Sequence, residues 1–226
     1  MISCLCIEVS ILPLDLSREG IAQLLKKYDV RVVEESIAKS PDEAVAIAEK
    51  IGYPVVLKIV SDEIIHKTDR GCVKTNIMNK QELRTAYEQI MKNAGNAKVE
   101  GMLVQRMVKE GIELIVGGRK DPQFGPLILF GLGGIFVEIL RDVSIRVCPI
   151  KMSDAEEMID EIKGSPLLKG ARGTAPVDRK KLAELLVNVS RMLYENEEIC
   201  ELDLNPIIAY KDGYLAVDVR VIRCED

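Results

Sequence analysis

The first third of the chain alternates between helical and extended apolar patterns. Ile21, Leu24, Leu25 and Tyr28 fall on one face of a helix that Ser17 caps, and Val30 to Val33 then read as extended. Ser40-Pro-Asp-Glu43 is a capping box with proline at the first helical position; its helix carries Ala44, Ile47, Ala48 and Ile51 and stops at Gly52. Val55 to Val60 is a nearly continuous β-branched run and Cys72 to Met78 a second strand. Asn79 with Glu82 opens a further helix that reaches about Asn93.

The texture changes at Gly101. Extended runs follow at Met102 to Val108, Glu113 to Val116, Leu127 to Phe130 and Val143 to Val147. Two helices come next, one after Ser153 and one after Asp178, the second with Leu182, Leu185, Leu186, Val189 and Leu193 at helical spacing. Ile199 to Leu204, Ile207 to Tyr210, a Lys-Asp-Gly turn at 211–213 and Tyr214 to Val221 together predict a hairpin. The pattern predicts an α+β protein of two lobes, residues 31–100 and 101–226, with residues 1–30 as a helical segment joined to them. A cleft between lobes is the expected ligand site.

Composition narrows the function. The chain has 226 residues, 47% of them hydrophobic, which is enough for a substantial core. Its formal charge of -5, with no run of lysines or arginines, offers no footprint for nucleic acid. The apolar opening from Met1 is interrupted by Glu8 and Pro13, and no run approaches the roughly 18 apolar residues of a membrane span. The six cysteines are scattered without metal-site spacing. They read as reduced thiols of a cytoplasmic protein.

Candidate chemistry begins at the single histidine, His66, which stands between Ile65 and Lys67 in a polar segment beyond the Val55 to Val60 strand. Lys58 places a charge inside that strand, where an ammonium needs an anion: a buried carboxylate or a nucleotide phosphate. Gly131-Leu-Gly-Gly134 is a glycine-rich turn after a strand, matching neither the Walker pattern nor a full G-x-G-x-x-G. Arg146 and Arg172 are either phosphoryl-stabilising cations or surface arginines. In Glu201-Leu-Asp-Leu-Asn-Pro206 the period of two puts Glu201, Asp203 and Asn205 on one face and Leu202 and Leu204 towards the core. Asp218 interrupts an apolar run on the opposing strand. An amide oxygen and a carboxylate meeting there suit magnesium; a solvated acidic face is the alternative.

Six ordered motifs carry a resemblance. Gly52-Tyr-Pro-Val-Val-Leu-Lys-Ile-Val-Ser61, Ile65-His-Lys-Thr-Asp with Gly71 and Val73, Asp121-Pro-Gln-Phe-Gly-Pro126, Gly131-Leu-Gly-Gly-Ile-Phe-Val-Glu138, Gly170-Ala-Arg-Gly173 and Glu201-Leu-Asp-Leu-Asn-Pro206 resemble the β subunit of ADP-forming acetyl-CoA synthetases. The resemblance implies an ATP-grasp fold with the nucleotide between its lobes. It implies a ligase that joins a carboxylic acid to coenzyme A while interconverting ATP with ADP and phosphate, through acyl phosphate and phosphohistidine. By it, Lys58 contacts phosphates, Gln105 and Met107 form the hinge beside adenine, Glu113 reaches ribose, and Asn205 and Asp218 bind Mg²⁺. His66 corresponds to a phosphorylatable histidine, which Asp203 or Asp69 orients through the other ring nitrogen, and Lys67 disfavours the imidazolium.

The chain shows no fingerprint for coenzyme A, so an α subunit carrying the acyl chemistry is implied, in an α2β2 assembly. Two departures stand out: Cys72 occupies the place of a usual second glycine after the histidine, and Lys27-Tyr28-Asp29-Val30 replaces a Tyr-Gly-Ile turn. The competing readings are a self-contained ATP-grasp carboxylate ligase and a nucleotide-binding module without catalysis.

Overall fold

Helix α1 (Arg18–Lys27) begins where Ser17 Oγ accepts the Gly20 N–H at 3.1 Å. It ends at Lys27 with Tyr28 as its cap, and Asp29 beyond it, at φ 52°, takes a left-handed turn that aspartate tolerates better than most residues. Tyr28, 1% exposed, donates its hydroxyl to Glu195 at 2.7 Å and accepts from Asn196 at 3.0 Å. The chain is described here by a computed structural model over residues 14–61, 63–64, 67–134, 142–170 and 175–224. Contacts divide it into a smaller unit, Val32–Glu110, and a larger one, Met1–Arg31 with Gly111–Asp226.

The smaller unit contains β1 (Glu35–Ala38), α2 (Pro41–Ile51), β2 (Val55–Val60), β3 (Val73–Ile77), α3 (Lys80–Ala94) and β4 (Gly101–Arg106). Its sheet runs β1-β4-β2-β3, all antiparallel. Both helices start as their caps predict: Ser40 Oγ accepts from Glu43 N at 3.2 Å, and Asn79 Oδ1 from Gln81 and Glu82 N at 3.1 and 3.0 Å. One sheet face carries Val55, Leu57, Ile59, Met102 and Val104 into a core shared with Ala44, Ala48, Leu83 and Ile90 of the helices. The expected extension of Val30 to Val33 reduces to a bridge at Val32, and the strand forms at Glu35–Ala38. The boundary also moves, because β4 is hydrogen-bonded between β1 and β2: the division falls at Gly111, not at Gly101.

The larger unit adds β5 (Ile112–Asp121), β6 (Gly125–Leu132), β7 (Val143–Val147), α4 (Met152–Glu161), a short α5 (Ser165–Leu168), α6 (Arg179–Glu195), β8 (Ile199–Tyr210), β9 (Gly213–Ala216) and β10 (Val219–Arg223). The sheet order is β10-β8-β5-β6-β7, with β9 also on β8. Leu114, Val116, Ile128, Phe130, Leu202 and Leu204 are all at most 2% exposed and sit on the face packed with α6, where Leu182, Leu186, Val189 and Leu193 are equally buried. No described helix is long and apolar enough to cross a membrane.

The reading of all cysteines as separate thiols is corrected at one pair. Antiparallel pairing of β10 with β8 sets Arg223 against Ile199, and the neighbouring Cys200 and Cys224 form a disulfide with Cα atoms 4.8 Å apart. Cys72 and Cys148 are buried free thiols.

Leu57 is fully buried at the centre of β2. Leu57→Ala leaves a cavity there and should lower unfolding stability by about 2–5 kcal/mol, read as a reduced urea midpoint with unchanged slope.

Candidate functional site

Alternation along β2 sends Val55, Leu57 and Ile59 into the core and Lys58 to the other face. The β2–β4 register puts Val56 opposite Gln105 and Lys58 opposite Leu103, so Lys58 and Gln105 share that helix-free face. Lys58 is half-buried; Gln105 is 1% exposed and donates its amide to Glu35 at 2.6 Å. Met107 follows β4 and donates its N–H to the Pro54 carbonyl at 3.1 Å. Cys72 sits in the core, 0% exposed, so the side chain at this departure points away from the Lys58 face. Gly71 before it has φ 64°, and a Cβ there would meet the Asn93 amide nitrogen at 2.7 Å. His66 and Arg172 lie outside the described residues.

In the larger unit β8 behaves as its pattern predicts: Leu202 and Leu204 are buried, Asp203 is half-buried, and Glu201 and Asn205 are exposed. Asp203 lies between Gly117 of β5 on one side and Arg220 of β10 on the other. The same alternation along β5 places Glu113 on this face, where its carboxylate approaches the glycine-rich turn: a Cβ on Gly134, at φ 62°, would lie 3.2 Å from Glu113 Oε2. Asn205 and Asp218 meet across the strands, the Asn205 N–H donating to the Asp218 carbonyl at 3.1 Å. Glu113, Asp203, Asn205, Asp218 and Arg220 thus gather on the sheet face opposite α6.

Arg146 does not join them. Its register partner is Ile128, which pairs in turn with Gly118 and so with Leu202, all on the helix-covered face. There its guanidinium binds Glu161 at 2.9 Å and Ser144 Oγ at 3.2 Å. Arg220, by contrast, was not singled out from sequence. Reading across the hairpin from Asp203, rather than only along β8, is the signal that finds it.

Asp203 is the electrostatic centre of the group. Burial pushes its carboxyl above the ordinary value of 3.8; Arg220 opposes the rise, and Asp218 and Glu201 add to it. Its Oδ1 is buried without a hydrogen-bond partner among the described residues. An uncompensated carboxylate oxygen is costly unless something binds it. Hard oxygens from Asp203, Asn205 and Asp218 at one surface are the donor types that magnesium takes. The residues present fit such an ion, although no cluster of three acidic, histidine or cysteine ligands is preassembled among the described residues.

Residues 15–222 match the model of an ATP-grasp domain. The β subunit of ADP-forming acetate–CoA ligase I from Pyrococcus furiosus is 52% identical over 204 residues, covering 88% of each chain. The chain belongs to this β-subunit family of ADP-forming ligases. In the related ligase I of Archaeoglobus fulgidus, 45% identical over 90% of this chain, the match spans only 30% of a longer polypeptide. Acetyl-coenzyme A synthetase 1 of Ca. Korarchaeum cryptofilum, solved with coenzyme A and Ca-AMPCP, superimposes with a TM-score of 0.87 at 47% identity, covering 91% of this chain and 92% of that one. A complex of that synthetase with coenzyme A and Mg-AMPPCP, TM-score 0.82 at 45% identity with 91% of each chain covered, has its phosphohistidine segment pointing towards the nucleotide-binding site. Membership makes this chain part of an acid–thiol ligase with the ATP-grasp fold.

The raised carboxyl in this ligase subunit predicts a pH signature. An acid whose folded pKa exceeds its unfolded value holds its proton more tightly when folded, so the contribution of Asp203 to stability is greatest below the ordinary carboxylate value and is lost as pH rises through the raised one. Asp203→Asn removes that cost. Its gain in Tm should be largest at neutral pH, shrink on acidification through the raised pKa and disappear below the ordinary carboxylate value; a gain independent of pH would assign the effect to packing.

Proposed function

We propose that the chain is the nucleotide-binding subunit of a cytoplasmic ADP-forming acyl-CoA synthetase, working with an α subunit in an α2β2 assembly. The α subunit holds coenzyme A and forms the acyl phosphate. His66 takes the phosphoryl group by forming an N–P bond as the acyl phosphate P–O bond breaks, and the carboxylic acid leaves. The phosphoryl group then passes from His66 to the β-phosphate oxygen of ADP, giving ATP. The reverse sequence activates the acid, whose carboxylate is a poor acyl donor until it carries a phosphate leaving group.

One observation carries the reading for this chain. Asp203 presents an orphaned buried oxygen on the surface where Asn205 and Asp218 meet, and such an arrangement costs stability unless a cation or a donor engages it. Asn205 and Asp218 would hold Mg²⁺, which when bound neutralises phosphate charge. Asp203 would orient an incoming imidazole through its ring N–H, leaving the other nitrogen as nucleophile. Lys58 contacts phosphates, the Gln105 to Met107 backbone faces adenine, and Glu113 binds ribose. Arg146 is left out, because its guanidinium is committed to Glu161 on the helix-covered face.

With the α subunit present, MgATP labelled on the γ-phosphate should transfer label to His66 as an acid-labile, alkali-stable adduct. His66→Ala should abolish both the label and coupled ADP formation across acetate, branched and aryl acids. Lys58→Ala should weaken MgATP binding about tenfold or more, equivalent to roughly 1.4 kcal/mol. Full coupled activity in His66→Ala would instead favour direct acyl phosphate formation at this subunit.

A further inference from the structure

The disulfide between Cys200 and Cys224 ties together one end of the strand pair that carries Asp203 and Arg220. Strand β10 lies at the edge of its sheet, and its only strand partner among the described residues is β8. The ladder slips between Ile222 and Arg223, next to the crosslink, while Arg220 stays in register with Asp203. Beyond the slip, the Cys224 N–H donates to the Glu198 carbonyl at 2.9 Å, the contact that holds the end of the strand in place beside the bond. Both sulfur-bearing residues are half-buried rather than sealed, unlike Cys72 and Cys148, and burial pushes the Cys148 thiol up to about 12. Reagents that exchange disulfides therefore find one reachable pair among the described cysteines.

A covalent tie at the slipped end of an edge strand limits fraying and further change of register. Without it, only the β8 pairing of Val219 to Ile222 and the Cys224–Glu198 contact would keep Arg220 at the position where its charge offsets Asp203. We propose that Cys200 and Cys224 form a thiol–disulfide modification site whose oxidised form holds Arg220 across from Asp203 and thereby tightens binding of magnesium nucleotide to this face. The coupling to nucleotide rests on the function proposed above. In the oxidation, the two thiols lose two protons and two electrons to a protein or low-molecular-weight disulfide, which leaves as two thiols while the Cys200–Cys224 bond forms.

The test uses the full chain, alkylated and digested without reductant, then compared before and after reduction. Mass spectrometry should find a peptide pair joined through Cys200 and Cys224. Reduction should lower Tm by roughly 5–10 °C for a closed loop of this size, an effect that Cys200→Ser reproduces and Cys72→Ser does not. Calorimetric titration should show MgADP bound about three- to tenfold more tightly by the oxidised chain, and Arg220→Met should erase the difference. Absence of the joined peptide overturns the site. A joined peptide with equal MgADP affinity in both redox states overturns the coupling alone. If neither state binds MgADP while the Tm difference persists, the nucleotide reading fails together with the coupling.

Discussion

Strand β8 hydrogen-bonds to β5 along one edge and to β9 and β10 along the other, so every strand of the larger sheet is placed directly or indirectly by it. Its period of two fixes which side chains go where. Leu202 and Leu204 must face the helices, because moving the register by one residue would exchange two fully buried leucines for Glu201, Asp203 and Asn205. The chemistry of the opposite face therefore inherits its precision from the core. Hydrophobic burial of two leucines aims an aspartate and an asparagine.

The same division of faces occurs in each unit. Helices cover one side of the sheet, and the candidate polar groups occupy the other: Lys58 and Gln105 in the smaller unit, Glu113, Asp203, Asn205, Asp218 and Arg220 in the larger. Asp203 shows what this arrangement costs. Partial burial among other carboxylates raises the free energy of its charged form, a cost carried by the packed face behind it. A stable sheet can carry a group that its own side chains leave poorly satisfied.

Much of this was legible in the chain itself, for identifiable reasons. Capped helices announce themselves, since Ser40, Asn79 and Asp178 each supply the side-chain acceptor that a helix start requires. The alternation in β8 was equally plain, and six ordered motifs pointed to the ATP-grasp family to which the chain belongs. Strand β1 was missed because Glu35–Ala38 is four residues long with only Ala38 buried; its pairing with β4 makes it a strand. The unit boundary was misplaced for the same reason, since β4 belongs with strands distant in sequence. The position of Arg146 depends on register across three strands, and the Cys200–Cys224 contact on a pairing that spacing alone does not reveal. Local preference reads well from sequence, whereas long-range register does not.

Gly117 carries a consequence of a different kind. A methyl group there would meet only ordinary van der Waals contacts, with the Leu202 carbonyl at 3.7 Å and Leu129 at 3.8 Å. Neither a left-handed backbone nor a collision within the folded chain demands glycine at this point. The β5 backbone opposite Asp203 can thus carry a side chain without displacing its neighbours. Position 117 is a gauge of the room over that face: the size of the largest side chain tolerated there measures how far the sheet stays open beside the aspartate.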